Sequence, residues 1–258
     1  MPKTTIVIPT LGLQSYLQLC VASVFMHTPE QDYDIIIVDN FDPEAKGVMS
    51  PLNFSDFGNA LQYFQNVRGT QVHFVSTGEN YGFAKSCNEG AVKAREGGSE
   101  FVVFLNNDCV VHPGWLDVMI KTWHNHKKTG LVGVWSNFAG GIQSVFSRQA
   151  QLLKPHYGIK CIKGLCILVS TERFWQVGGF DEAYSKTGSF TDDDLSMKMI
   201  DCGYYNVIAP IFITHFGSRT FEAMGVDLRT DPEILADQRR FHKKWDEKFK
   251  PIQVKEKE

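Results

Sequence analysis

Short runs rich in β-branched residues alternate with longer stretches of helical periodicity over the first half of the chain. This alternation is typical of units in which parallel strands are joined by helices that cover the faces of a sheet. Five strands are predicted from it, over residues 4–8, 34–38, 71–76, 100–105 and 131–135. The pattern therefore predicts an α/β fold with a single Rossmann-like sheet, mixed but mostly parallel, flanked by helices.

Helices are predicted where apolar residues recur at helical spacing, over about residues 13–25, after Gly82 and from Pro113. Residues 41–61 mix Pro, Gly, Asn and Asp with scattered apolar residues, which indicates a long loop with one helix near its end. The alternation breaks down in the second half. There we predict a buried strand over 161–169, a short helix over 171–177, a helix over 192–201 and a C-terminal helix over 232–249.

Composition excludes several classes of partner. The net charge of −3, from 26 basic and 29 acidic residues, predicts neither a nucleic-acid surface nor a polybasic membrane anchor. The six cysteines form no CxxC pair, so buried thiols in a reducing compartment are expected. The longest uncharged stretch, residues 129–147, contains glycines and amides, which argues against a membrane span. We expect a cytoplasmic protein, free or peripheral to a membrane, with a small or shape-recognised partner.

Polar residues follow several predicted strands directly, where ligands of open parallel sheets bind. Pro9 and Thr10 follow the first strand, and Asp39 with Asn40 follow the second. The fourth strand ends in Asn106, Asn107 and Asp108, and a later apolar run ends in His215. Each of these has a structural explanation as a cap or turn residue. Together, a carboxylate and a distant imidazole could form half the shell of a divalent ion.

The turn after the first strand limits the nucleotide chemistry. It has one glycine, Gly12, and no lysine, so it contains neither GxGxxG nor a P-loop. A turn of this kind cannot surround a diphosphate with backbone N–H groups. A bound metal would be the simplest way to neutralise the phosphate charge.

Six short motifs recur in order along the chain. They are IVIPT at residues 6–10, IIVDN at 36–40, NYGFA at 80–84, LNND at 105–108, GGFDE at 178–182 and DDDL at 192–195. Together they resemble the family 2 glycosyltransferases of the GT-A fold, rhamnosyltransferase-like members included, over nearly all of residues 4–217. The resemblance implies inverting, metal-dependent transfer of a sugar from a nucleoside diphosphate sugar, UDP- or dTDP-linked, to a hydroxyl of a glycan, a lipid-linked or another acceptor.

The resemblance also implies roles for individual residues. Asp108 and His215 would hold Mn²⁺ or Mg²⁺, and Asp192 would be the catalytic base. The donor-binding residues would be Pro9, Thr10, Asp39, Asn80, Lys85, Asn107 and Gly164.

The acidic run departs from the family pattern in two places. Thr191 stands where the family usually has glutamate, and Asp193 stands where a neutral residue is common, so Asp193 could share or take over the role of the base. The run could also be a structural N-terminal end of a helix, and Asp194 is expected to serve in that way.

The implied organisation is one domain over residues 1–250, with a nucleotide-sugar-binding half over 1–135, an acceptor-binding half over 136–220 and a C-terminal helix over 230–250. Residues 251–258 are expected to be a solvated tail. Two alternatives stay open. One is a nucleotidyltransferase acting on sugar phosphates, which normally has a glycine-rich, basic first turn. The other is an inactive sugar-binding domain of the same fold.

Overall fold

The structure is a computed structural model that describes residues 3–28, 32–41, 70–145, 153–217 and 225–246, with Arg219, Glu222 and Lys248. The predicted loop and helix over residues 41–61 therefore lie outside the described residues, apart from Phe41, and so does the predicted tail over 251–258.

The sheet has nine strands. They are β1 (Thr4–Thr10), β2 (Tyr33–Asp39), β3 (Val72–Ser76), β4 (Phe101–Leu105), β5 (Cys109–Val110), β6 (Thr129–Ser136), β7 (His156–Tyr157), β8 (Cys166–Ser170) and β9 (Tyr205–His215). Six α-helices of the described residues accompany it. They are α1 (Gln14–His27), α2 (Gly82–Glu96), α3 (Trp115–His124), α4 (Thr171–Gln176), α5 (Thr191–Asp201) and α6 (Pro232–Trp245).

The strand order is β3-β2-β1-β4-β8-β6-β9-β5, with β7 paired to β9. Strands β3, β2, β1 and β4 are mutually parallel, β8 is antiparallel to both β4 and β6, and β6 is parallel to β9. The predicted α/β fold with one mixed sheet flanked by helices is confirmed.

The core lies between the central strands and the helices that cover them. Strands β1 and β4 are buried along their whole length, as expected for strands covered on both faces. Helix α2 crosses β1 closely because Gly90 has no side chain. A Cβ atom there would lie 2.3 Å from a methyl carbon of Val7.

The predicted strand over residues 161–169 is shorter than expected, since β8 begins only at Cys166. The backbone N–H groups before it donate to side chains rather than to a neighbouring strand. Ile162 donates to Ser196 Oγ, Lys163 to Gln143 Oε1, and Gly164 to Asp192 Oδ2. This stretch is therefore a loop held against α5.

The C-terminal helix also ends earlier than predicted, at Trp245. Its start is as expected, because the side chain of Asp231 accepts hydrogen bonds from the N–H groups of Glu233 and Ile234. Among the described helices, none combines the length and the apolar composition needed to cross a membrane.

Candidate active site

The carboxyl ends of the central strands and the start of α2 line one pocket. Six of the residues given a donor-binding or metal-binding role from the sequence line it, and they are Pro9, Thr10, Asn80, Asn107, Asp108 and His215. Asp39, Lys85, Gly164, Asp192 and Asp193 are not among its lining residues. The topology thus gathers residues from strand ends that are far apart in the sequence.

The floor of the pocket joins the ends of β1 and β4. Asn107 donates from Nδ2 to Thr10 Oγ1 at 2.7 Å, and Thr10 donates in turn to the carbonyl of Gly12 at 2.7 Å. Both side chains are buried, so these bonds hold the two strand ends in fixed relative positions.

Asp108 and His215 meet because of a short antiparallel pairing. Strand β5 follows Asp108 directly, and its Cys109 is paired with His215 at the end of β9. The N–H of Phe216 donates to the carbonyl of Asp108 at 3.0 Å, which extends the pairing. As a result Asp108 Oδ1 lies 3.0 Å from His215 Nε2, and both side chains are almost completely buried.

Contacts with Asn137 and Phe138 fix the orientation of the His215 imidazole. Its Nδ1 contacts the carbonyl of Phe138, while the amide of Asn137 bonds to both the N–H and the carbonyl of His215. Burial lowers the pKa of His215, but the hydrogen bond and charge of Asp108 and the Phe138 carbonyl outweigh it, so the pKa is raised overall. An Nδ1–H that donates to Phe138 leaves Nε2 directed at Asp108.

This pair fits a divalent cation. Nearly buried carboxylate and imidazole donors side by side, with the imidazole held by a carbonyl, are what a metal site requires of its protein ligands. Cys109 Sγ also lies within 4.8 Å of both ligand atoms. The Cys109 thiol contacts the carbonyl of Leu165, and burial raises its pKa well above the usual value, which favours the neutral thiol.

Asp192, at the start of α5, lies in a separate cluster with Gly164, Lys163 and Asp193 and does not line the pocket. Its Oδ2 accepts from the N–H of Gly164 at 2.7 Å, and a Cβ at position 164 would lie 3.3 Å from that carboxylate. Burial and the neighbouring charge of Asp193 raise the pKa of Asp192 to about 6, against the opposing effect of Lys163. Gly164 is thus positioned to approach Asp192 rather than to line the pocket.

The other two carboxylates of the run have different surroundings. Asp193 is held by Lys163 Nζ at 2.7 and 2.9 Å. Asp194 lies in the first turn of α5, as expected, and its side chain is fully buried. Its carboxylate accepts from Trp245 Nε1 and Lys244 Nζ of α6, both at 2.8 Å.

Two predicted donor residues, Asp39 and Lys85, do not line the pocket. Asp39 is buried, accepts from the N–H of Phe41 at 3.1 Å, and has its pKa raised by burial. Its neighbour Asn40 lines the pocket and accepts from Ser86 Oγ at 2.7 Å. Lys85 Nζ lies 3.5 Å from the centre of the Tyr81 ring, outside the pocket lining.

Three further polar residues line the pocket, and the sequence analysis did not find them. They are Lys186, Thr187 and Arg219. Lys186 and Thr187 follow the GGFDE motif, and Arg219 follows His215 by four residues. No spacing or periodicity distinguishes them, because the loop carrying Lys186 reaches the pocket only through its packing on α2.

The family model for "Glycosyl transferase family 2" matches residues 5–163. Uncharacterized protein y4gI of Sinorhizobium fredii is 27% identical over 233 residues, which cover 81% of this chain and 24% of that protein. The N-acetylglucosaminyl-diphospho-decaprenol L-rhamnosyltransferase of Mycobacterium tuberculosis is 24% identical over 187 residues. These cover 58% of this chain and 59% of that protein. The chain spans less than two thirds of the length of either relative.

Solved structures share the fold. GalNAc-T7 with UDP, GalNAc and Mn²⁺ aligns with a TM-score of 0.70 at 16% identity, covering 95% of this chain and 48% of that one. The mannosyltransferase PcManGT from Pyrobaculum calidifontis, in complex with GDP-Man and Mn²⁺, aligns with a TM-score of 0.61 at 15% identity, covering 93% and 70%. The likeness shows that the chain has the GT-A fold.

Proposed function

Because this chain belongs to the family 2 glycosyltransferases, we propose that it transfers a sugar from a nucleoside diphosphate sugar to an acceptor hydroxyl in a metal-dependent, inverting reaction. The observation that carries this proposal is the Asp108–His215 pair, 3.0 Å apart at the edge of a pocket built from strand ends.

The donor occupies that pocket in the proposed complex. Thr10, Asn107 and Asn80 surround the nucleotide, with Pro9 at the strand end. Asp39, buried beside the pocket, accepts a hydrogen bond from the base. UDP and dTDP are the proposed carriers, and the solved structures with UDP and with GDP-Man support a nucleotide-sugar donor of some kind.

Asp108 and His215 hold Mn²⁺ or Mg²⁺ in this proposal, together with oxygens of the donor diphosphate. A cation held there would act as a Lewis acid that stabilises the departing nucleoside diphosphate. The Mn²⁺ in both solved structures supports the assignment of a divalent ion. A carboxylate oxygen and an imidazole nitrogen do not distinguish Mg²⁺ from Mn²⁺.

Asp192 is the proposed base that removes the proton of the acceptor hydroxyl while the sugar C1–O bond to the diphosphate breaks on the opposite face. A pKa of about 6 leaves this carboxylate mostly ionised at pH 7 and more basic than an ordinary aspartate. Asp193 is less suited to this role, because Lys163 holds both of its oxygens. The acceptor, a glycan, a lipid-linked sugar or another hydroxyl compound, approaches from the side of Asp192.

Release of nucleoside diphosphate tests the proposal. The chain is incubated with UDP-, dTDP- and GDP-sugars, Mn²⁺ and simple glycoside acceptors, and the nucleotide products are separated. A glycosyltransferase releases nucleoside diphosphate and stops when EDTA is added. Pyrophosphate as the product would favour the nucleotidyltransferase alternative, and donor binding without any turnover would favour the inactive domain.

A further inference from the structure

The charges that line the donor pocket do not all have partners. Asp108 is paired with His215, and Arg219 Nη1 lies 2.7 Å from Glu222 Oε2. Lys186 lines the same pocket but forms no ion pair with any residue in the described parts of the chain. Lys186 is thus a pocket cation without a counter-ion among the described residues, and it is placed to bind an anionic ligand.

We propose that Lys186 is a donor-binding residue that contacts the diphosphate of the nucleotide sugar, and that Asp237 of α6 positions it. This inference rests on the proposed function, since it requires a nucleoside diphosphate in the pocket. It adds Lys186 to the donor-binding residues expected from the sequence, among which Lys85 has its ammonium group over the Tyr81 ring.

The segment carrying Lys186 is pressed against the start of α2. Gly82 has φ +75°, and a Cβ there would lie 2.6 Å from Lys186 Cα. The N–H of Phe83 donates to the carbonyl of Lys186 at 3.4 Å. Lys186 is therefore held by its backbone at the pocket wall, while its side chain remains exposed.

Helix α6 holds the same segment from the other side. The carboxylate of Asp237 is buried and accepts from the N–H of Ser185 at 3.1 and 3.2 Å, and from Ser185 Oγ at 2.5 Å. Ser185 Oγ lies 2.6 Å from Thr187 Oγ1. A buried charged acceptor thus fixes the residues on both sides of Lys186 without touching the pocket itself.

Binding of nucleotides tests the role of Lys186. Affinities of UDP, dTDP and GDP with Mn²⁺, and of the matching nucleosides, are measured by isothermal titration calorimetry. We expect Lys186→Met to lower the affinity for the nucleoside diphosphate by about tenfold, as for loss of one charged contact. Its affinity for the matching nucleoside should be unchanged. The matched control is Lys243→Met, an exposed lysine of α6 outside the donor pocket, which should bind like the unaltered chain.

A double-mutant cycle tests the role of Asp237. If Asp237→Asn acts by misplacing Lys186, the single variant binds nucleoside diphosphate more weakly than the unaltered chain. When Lys186→Met is already present, adding Asp237→Asn changes the affinity by no more than about twofold. Ser185→Ala removes the hydroxyl donor but keeps the buried carboxylate and its bonds from the Ser185 N–H, so it provides the same test should Asp237→Asn fail to fold. Glu233→Gln, an exposed carboxylate on the same helix, is the control.

The outcomes separate the two proposals. If the unaltered chain binds none of the three nucleoside diphosphates, the proposed donor class fails, and this inference fails with it. If it binds one of them and Lys186→Met binds it equally well, only the inference is overturned. Fully additive effects of Asp237→Asn and Lys186→Met would overturn the positioning role of Asp237 alone.

Discussion

Asp192 and Asp193 are adjacent in the sequence, yet their surroundings give their carboxylates different chemistry. Asp192 accepts from the N–H of Gly164 and has a pKa raised to about 6 by burial and by the charge of Asp193. Asp193 forms an ion pair with Lys163. One carboxylate is therefore available as a base near neutral pH, while the other is neutralised by a lysine.

Replacing Asp192 tests the base directly. We expect Asp192→Asn to lower kcat by roughly 10² to 10⁴, the usual contribution of a positioned base, with donor affinity nearly unchanged because Asp192 does not line the pocket. Turnover and calorimetric binding of the nucleotide measure the two effects. Asp201→Asn, at the far end of α5, is the matched control, and near-normal turnover of Asp192→Asn would show that the base is another group.

The pH profile should report the same cluster. If Asp192 is the base, it must be ionised in the free enzyme, so kcat/KM should rise with pH through about 6. The charge of Asp193 raises that pKa and the charge of Lys163 lowers it. The acid limb should therefore move to lower pH in Asp193→Asn and to higher pH in Lys163→Met, as measured by rates between pH 4.5 and 8. If the acid limbs of the two variants move in the same direction, or do not move, the assignment of Asp192 as the base would be contradicted.

At the scale of elements, the start of α2 depends on the close approach of the segment carrying Lys186. Gly82→Ala places a methyl group 2.6 Å from Lys186 Cα and adds the cost of positive φ, about 1–2 kcal/mol. We expect lower stability in urea and weaker nucleotide binding. Gly78→Ala is a close control, because φ is +69° there with no atom within 4 Å. Gly78→Ala should lose stability through the same cost of positive φ, and it should bind nucleotide normally.

Helix α6 is joined to α5 by a buried charge. Trp245 Nε1 donates to Asp194 at 2.8 Å, and Trp245 is itself buried in the small apolar cluster between the two helices. Trp245→Phe keeps an aromatic ring but removes the Nε1–H that donates to the Asp194 carboxylate. We expect a loss of about 1.5–3 kcal/mol in the free energy of unfolding, measured in urea. Arg239→Gln, exposed on α6, should cost little, and an equal loss in both variants would exclude a specific role for the Trp245 bond.

At the scale of the whole molecule, ligand binding should stabilise the fold only when the metal pair is intact. Nucleoside diphosphate with Mn²⁺ at about 100 times Kd contributes about 2.7 kcal/mol, which for a chain of this size raises Tm by roughly 5–10 °C. Asp108→Asn should lose most of this increase in a thermal-shift assay, and Asp117→Asn on the surface of α3 should keep it. An unchanged increase in Asp108→Asn would mean that the nucleotide binds without that carboxylate.

Much of the fold followed from local patterns. The predicted strands β1, β2, β3, β4 and β6 and the predicted helices α1, α2 and α3 match the structure, because each depends on a periodicity carried within about fifteen residues. The predicted strand over 161–169 was too long, since its first residues have side-chain partners on α5. Asp194 lies in the first turn of α5 as expected, but local spacing did not predict its partners on α6, which lie some fifty residues further along the chain.

The sequence by itself determined the α/β class, the family resemblance and the identity of the polar residues at the strand ends, since these are properties of short segments and their order. Only the tertiary structure decided which of those residues share a pocket. The pairing of β5 with β9 brings Asp108 to His215, and the packing of the Lys186 segment on Gly82 adds a cation that no spacing indicated. The physical reason is that charge and burial depend on neighbours in space, and those neighbours come from distant parts of the chain.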